Sequence, residues 1–232
     1  MNLLLTHAAS PLGQALAQGL RSSHQLRLSA RAVLDTDLDF VRSELGHDES
    51  TDELVAGIDA IVYLPEPAPQ TNDSSAWIDA CTRCTYNLLL AASSAGVKQV
   101  IYLSTLDLFL PYDEDMTVNE RWRPQPSCEP HILGPYLGEF VAEEFAHQHA
   151  LQLVCLRLGH VIRAEEAKGK PFDPMWIEIN DVVQAVQHTL EKELPRFAVF
   201  HLQSISERAR FSAASANATL GFTPQFNFED IS

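Results

Sequence analysis

The sequence predicts a doubly wound α/β domain with a mostly parallel sheet and an abbreviated C-terminal lobe. Short apolar runs at residues 3–5, 58–64 and 151–158 lack polar alternation, the mark of strands covered on both faces. Between such runs lie stretches with helical spacing of apolar and small residues, at 12–20, 74–95 and 134–150. The 232 residues suit one well-buried core, with 46% hydrophobic and 20% charged side chains. We divide the chain into a first unit, 1–162, and an abbreviated lobe, 163–232, that partly completes the same domain.

Charge and composition narrow the partners. A net charge of -15 makes the average surface repel phosphate backbones and anionic bilayers, so neither nucleic acid nor membrane is expected as a partner. No apolar run approaches the length of a membrane span, and the N-terminal run is too short and lacks a basic lead for a signal peptide. A cytoplasmic location follows as the expectation. Cys81, Cys84, Cys128 and Cys155 form no disulfide framework and read as free thiols. Cys81-x-x-Cys84 and Cys128-x-x-His131 have zinc-like spacing, but thiols within an apolar helix read as core, and no metal is expected.

The chain opens with a strand that turns directly into a helix. Ser10 followed by Pro11 is a helix-start signal, because a serine hydroxyl caps free amides and proline's fixed φ suits the first turn. A helix start facing the end of the first strand is how a dinucleotide-binding fold receives a pyrophosphate. Residues 24–30 read as a second strand with Leu26, Leu28 and Ala30 on one face, and 40–45 as a third. A helix is expected near Thr51, with Asp52 and Glu53 in its first turn. The fourth strand spans 58–64, and the long helix 74–95 is apolar almost all round. Residues 107–129 are loop-like and acid-rich, and 163–174 short and irregular. A sixth strand at 151–158, then strand, helix and strand at 176–180, 181–191 and 197–202, complete the chain.

Several of these stretches carry a resemblance. Thr6-His7-Ala8-Ala9-Ser10-Pro11-Leu12-Gly13 occupies the place of Thr-Gly-x-x-Gly-x-x-Gly, Gly57, Asp59, Val62 and Leu64 fit Gly-x-Asp-x-Val-x-x-Leu-Ala, and 95–105 matches the passage into the fifth strand. The chain thus resembles the short-chain dehydrogenase/reductase superfamily, in its extended, atypical branch of NAD-dependent epimerase/dehydratase type, and hence a Rossmann-type sheet. The resemblance spans nearly the whole chain. Full-length extended members are longer, chiefly in the C-terminal substrate lobe.

By that resemblance the cofactor-side positions are His7, Ser10, Pro11, Leu12, Gly13, Arg31, Glu44, Leu45 and Leu64. Of the three glycines only Gly13 remains, the one that allows close packing of helix on strand. Pro65 replaces the alanine that lies along the cofactor and removes an amide donor. Arg31, at the end of the second strand, would accommodate the 2′-phosphate of NADP; its alternative reading is an exposed loop arginine. NADP or NAD, weakly held or lost, is the implied cofactor.

Family chemistry needs a tyrosine acid/base and a lysine four residues on, because that spacing puts both on one helix face. The ammonium lowers the phenol's pKa toward the working pH. Tyr136 fits the tyrosine and Thr105 the hydroxyl at the end of the fifth strand, but Phe140 stands at the lysine position and Cys81 where an asparagine is common. Glu144 matches the family acid four residues later, which fixes the register. Arg157, His131 and His7 are candidate replacement cations. Structural readings stand beside these: Tyr136 as a packed ring with a wet hydroxyl, Thr105 as a β-branched strand end, His7 as a neutral turn residue, and Asp181 as a helix cap.

The leading functional expectation is an atypical, degenerate family member that transfers hydride weakly or not at all and serves in sensing or scaffolding. An active NAD(P)-dependent epimerase, dehydratase or reductase on a sugar nucleotide is the alternative, and a ligand-free interaction protein a third. The resemblance also implies a homodimer through the long helix 74–95 and the helix carrying Tyr136.

Overall fold

The structure is a computed structural model and describes residues 1–68 and 75–230. Seven parallel strands form one sheet in the order β3-β2-β1-β4-β5-β6-β9. They are β1 (Asn2–Leu5), β2 (Gln25–Ala30), β3 (Asp39–Arg42), β4 (Ala60–Tyr63), β5 (Gln99–Thr105), β6 (Gln152–Leu158) and β9 (Phe197–Leu202). The chain runs outward from β1 to β3, then returns to the other side of β1 at β4. Strand order therefore reverses between β1 and β4, and a crevice opens above their carboxyl ends.

Helices α1 (Pro11–Leu20) and α7 (Ile179–Leu190) pack together on one face of the sheet, over Leu3, Leu5, Ile101 and Val154. Helices α2 (Glu49–Val55), α4 (Thr85–Ala95) and α5 (Pro130–Gln148) cover the other face, over Leu4, Ile61, Tyr63, Tyr102 and Cys155. Neighbouring residues of one strand thus feed opposite cores, which is why β1 and β4 read as unbroken apolar runs. Strand β9, from the C-terminal stretch, pairs with β6 at the sheet edge. Strands β7 (His160–Ile162) and β8 (Trp176–Glu178) form a separate parallel pair, with the short α6 (Ala164–Ala167) between them and α8 (Ala214–Leu220) after β9.

Local sequence signals explain most boundaries. Ser10 caps α1, its hydroxyl accepting from Gly13 N at 3.0 Å with Pro11 next to it. Helix α4 ends on Gly96, whose φ of 77° suits a residue without a side chain. Four expectations are corrected. Strand β3 stops at Arg42 rather than reaching residue 45, where Leu45 has a left-handed φ of 51°. Helix α2 starts at Glu49 with Asp48 as its cap, and Thr51 instead donates to Gly46 O.

Helix α5 begins at Pro130, four residues before the expected start, and carries Pro135 inside it. The long helix expected over 74–95 is broken. A short α3 (Ala76–Asp79) passes through a π-helical turn, Ala80–Cys84, before α4. The Ala80 carbonyl is taken up by the Tyr63 hydroxyl at 2.8 Å, and that of Cys81 by Thr85 at 2.7 Å. The expected start at residue 74 lies outside the described residues. Among the described residues no helix is long and apolar enough to cross a membrane.

Candidate active site

The residues expected to carry function gather above the carboxyl ends of β1, β2, β4 and β5. Thr6 stitches the reversal point: its hydroxyl donates to Leu64 O at 3.0 Å and accepts from Leu64 N at 2.9 Å, while Leu64 is buried. The following turn keeps the shape that glycines would give it. His7, at the first glycine position, has φ 48°, a left-handed conformation that costs a residue with a Cβ about 1 kcal/mol. Its carbonyl accepts from Ser10 N at 3.0 Å and Ser10 Oγ at 2.8 Å. A Cβ on Gly13 would lie 2.3 Å from His7 O and 2.8 Å from Ala8 Cα, so only glycine fits there. Pro11 is exposed and Leu12 packs against the core face shared with β1.

The nucleotide side of this crevice is closed by the protein's own side chains. Arg31 is not an exposed loop arginine: its side chain is only 10% accessible. It folds across the end of the sheet, donating from Nε to Glu66 O at 3.0 Å and from Nη2 to Cys84 Sγ at 3.5 Å, with Glu44 Oε2 3.9 Å from Nη1. Its backbone amide donates to Glu66 Oε2 at 3.0 Å. Leu45 lies at the floor, its carbonyl accepting from Asn87 Nδ2 at 2.9 Å. The cavity left among Thr6, His7, Arg31, Leu45, Leu64 and Glu66 measures about 10 Å³. That holds at most one water. The turn therefore keeps the shape that receives a dinucleotide, while Arg31, Leu45 and Glu66 close over the space beside it.

The substrate side is built on β5, β6 and α5. Thr105 ends β5, its Oγ1 accepting from Asp107 N at 3.1 Å. Tyr136, half-buried in α5, packs with Leu106, Leu108, Phe109 and Met175. Phe140 meets it edge-on, ring centroids 5.0 Å apart, and is 49% exposed. The three candidate cations stand in different settings. Arg157 turns under the sheet end to Glu139, with Nε 2.9 Å from Oε1 and Nη2 2.6 Å from Oε2. Burial opposes the Arg157 charge, but the Glu139 hydrogen bond and charge outweigh it, so its pKa rises. His7 is pushed toward the neutral form by burial, against the pull of Glu66. His131 stands exposed in the first turn of α5.

Further residues escape the sequence reading. His160 bridges two acids, with Nε2 2.9 Å from Asp107 Oδ1 and Nδ1 2.6 Å from Asp173 Oδ2. Its pKa is raised to about 9, first by the Asp107 hydrogen bond and then by Asp173, against partial burial. His160 thus stays charged at neutral pH beside Thr105's neighbour Asp107. The only signal in the sequence was an ionisable side chain just past a buried strand. Beneath this layer His201, 3.4 Å from Arg157, is driven down to about 3 by burial and by the guanidinium, and is neutral. Cys81 is fully buried, its thiol pushed up to about 12 by desolvation. Asp181 accepts from Gln225 N and Phe226 N, anchoring the C-terminal tail. Among the described residues no group of three His, Cys, Asp or Glu is arranged to hold a metal.

A parallel sheet with a glycine-anchored turn at its reversal point, and a tyrosine helix beside the fifth strand, define a nucleotide-fold protein of the epimerase/dehydratase type. A sequence model of the NAD dependent epimerase/dehydratase family matches residues 4–185, and the chain belongs to that family. L-arabinose 1-dehydrogenase (NAD(P)(+)) of Haloferax volcanii is 22% identical over 252 residues, covering 97% of this chain and 96% of its own. Uronate dehydrogenase from Agrobacterium tumefaciens, solved as a mutant complexed with NAD, superimposes with a TM-score of 0.85 at 20% identity over 99% of this chain and 86% of its own. MoeE5 in complex with UDP-glucuronic acid and NAD gives a TM-score of 0.82 at 20% identity, over 100% and 96%. These structural likenesses establish the shared fold.

Proposed function

We propose that this chain is a degenerate member of its family, with hydride transfer weak or absent and a sensing or scaffolding role built on the retained nucleotide fold. The observation that carries the proposal is the closed crevice: about 10 Å³ remains where an adenosine would lie, and Phe140 replaces the active-site cation. An apolar ring beside the phenol supplies no charge with which to stabilise a phenolate. Thr105 and Tyr136 are the residues we assign to the remaining chemistry, and His7, Ser10, Pro11, Leu12, Gly13, Arg31, Glu44, Leu45 and Leu64 to the cofactor side.

The same reading divides the chain at 162/163 and makes it a cytoplasmic homodimer. The exposed Tyr86 and Phe140, flanking an apolar groove with Leu90 and Val141, support the dimer face. A second reading, an active NAD(P)-dependent dehydrogenase or epimerase on a sugar or sugar nucleotide, is favoured by the retained Thr105 and Tyr136 and by the names of the relatives. Absorbance at 340 nm separates the two. The native chain is given NAD or NADP with L-arabinose, glucuronate or UDP-glucuronic acid. No turnover above a Tyr136→Phe control is expected, and turnover that this substitution abolishes would establish the second reading instead.

A further inference from the structure

Glu66 follows β4, Arg31 follows β2, and β1 lies between those two strands. The two residues therefore meet over the end of β1, directly above the turn that a pyrophosphate would approach. They hold each other at two points: Glu66 Oε2 accepts the Arg31 amide and Glu66 O accepts Arg31 Nε, each at 3.0 Å. This clasp, with the Cys84 thiol behind it, lines the cavity of about 10 Å³.

The charges around Arg31 matter as much as the volume. Its guanidinium is approached by Glu44 at 3.9 Å, and its amide by the Glu66 carboxylate. A phosphate brought to Arg31 would face both acids, whereas a ribose bearing free hydroxyls could donate to Glu66. We infer that Glu66 is a gate and a specificity-determining residue of the nucleotide crevice, closing it in the free protein and, once displaced, disfavouring a 2′-phosphorylated dinucleotide relative to one with free ribose hydroxyls. The inference rests on the reading of this crevice as the nucleotide side of the site. It reverses the preference that Arg31 alone suggests.

Calorimetric titration of NADH and NADPH into the native chain, Glu66→Ala, Glu66→Gln and the double variant His7→Gly/Ser10→Gly tests it, with thermal melts to establish that each is folded. Glu66→Ala removes bulk and charge and is expected to tighten NADPH by about tenfold, the worth of one charge-assisted hydrogen bond, and NADH by less, since it also removes the acceptor for the ribose hydroxyls. Glu66→Gln keeps the bulk and removes the charge, so its gain should be greater for NADPH than for NADH. Binding by the native chain or the glycine variant that neither Glu66 substitution changes would overturn the inference and leave the nucleotide reading standing. Equal gains for both dinucleotides in Glu66→Gln would overturn the specificity assignment. No binding by any of the four proteins would remove the nucleotide reading itself, and the gate with it.

Discussion

Breaking the Glu139–Arg157 pair should unfold the chain far more readily than its three contacts suggest. Both side chains are 7% exposed, and the guanidinium makes bonds of 2.9 and 2.6 Å to the two carboxylate oxygens. Beside Arg157 lie the neutral His201 and the Phe109 ring, 5.1 Å from the guanidinium carbon, while the Glu120 carboxylate supplies a smaller countercharge than Glu139. Glu139→Leu therefore strands a buried cation, and Arg157→Met a buried carboxylate, at a cost of about 3–5 kcal/mol each. Replacing both together leaves two apolar side chains of similar volume, so the double variant should lie within about 2 kcal/mol of the native chain. Urea unfolding of the four proteins gives the coupling directly, provided m is unchanged. Single substitutions costing under about 1 kcal/mol, or a double variant whose loss is the sum of the singles, would refute the account of this pair as a mutually neutralising clamp. The clamp also ties α5, which carries Tyr136, to β6.

Three more expectations concern the turn and the bridge. His160 titrates at about 9 in the folded chain against 6.5 in the unfolded one, so its contribution is complete below pH 6.5 and lost as pH rises to about 9. With its side chain 43% exposed, screening reduces this to about 1 kcal/mol, and His160→Gln should flatten that part of a stability-against-pH curve. Gly13→Ala should destabilise by about 1–3 kcal/mol in chemical denaturation, because its methyl would sit 2.3 Å from His7 O. His7→Gly should raise stability by about 0.5–1 kcal/mol by relieving the left-handed φ of 48°, whereas Ser10→Ala should lower it by about 1 kcal/mol through loss of the cap; thermal melts showing both changes in one direction would contradict this reading of the turn.

Legibility in the sequence followed how local the physics was. Strands β1, β4 and β6 were readable because burial on both faces forces an apolar run, and α1 because Ser10 and Pro11 cap it. The start of α5 is hidden in the sequence because Pro135 looks like a first-turn residue. The true first-turn proline is Pro130, and Pro135 is held in the helix interior, where its carbonyl lies 3.4 Å from the Tyr102 hydroxyl. The π-helical turn was invisible, since it depends on Tyr63 of another strand reaching the Ala80 carbonyl.

The site divides in the same way. Gly13, Thr105 and Tyr136 stood in recognisable local phrases, but Glu66, Asp107, His160 and Asp173 are joined only by the sheet order. Arg31 was placed correctly at the end of β2, yet which way it turns is decided by Glu66, 35 residues away.

The most direct test of the closed crevice is a crystal structure of the native chain grown with excess NADH. The account predicts the Arg31–Glu66 clasp intact over the end of β1 and no nucleotide beside it. A nicotinamide seated above β5, with a basic side chain hydrogen-bonded to the Tyr136 hydroxyl, would contradict it.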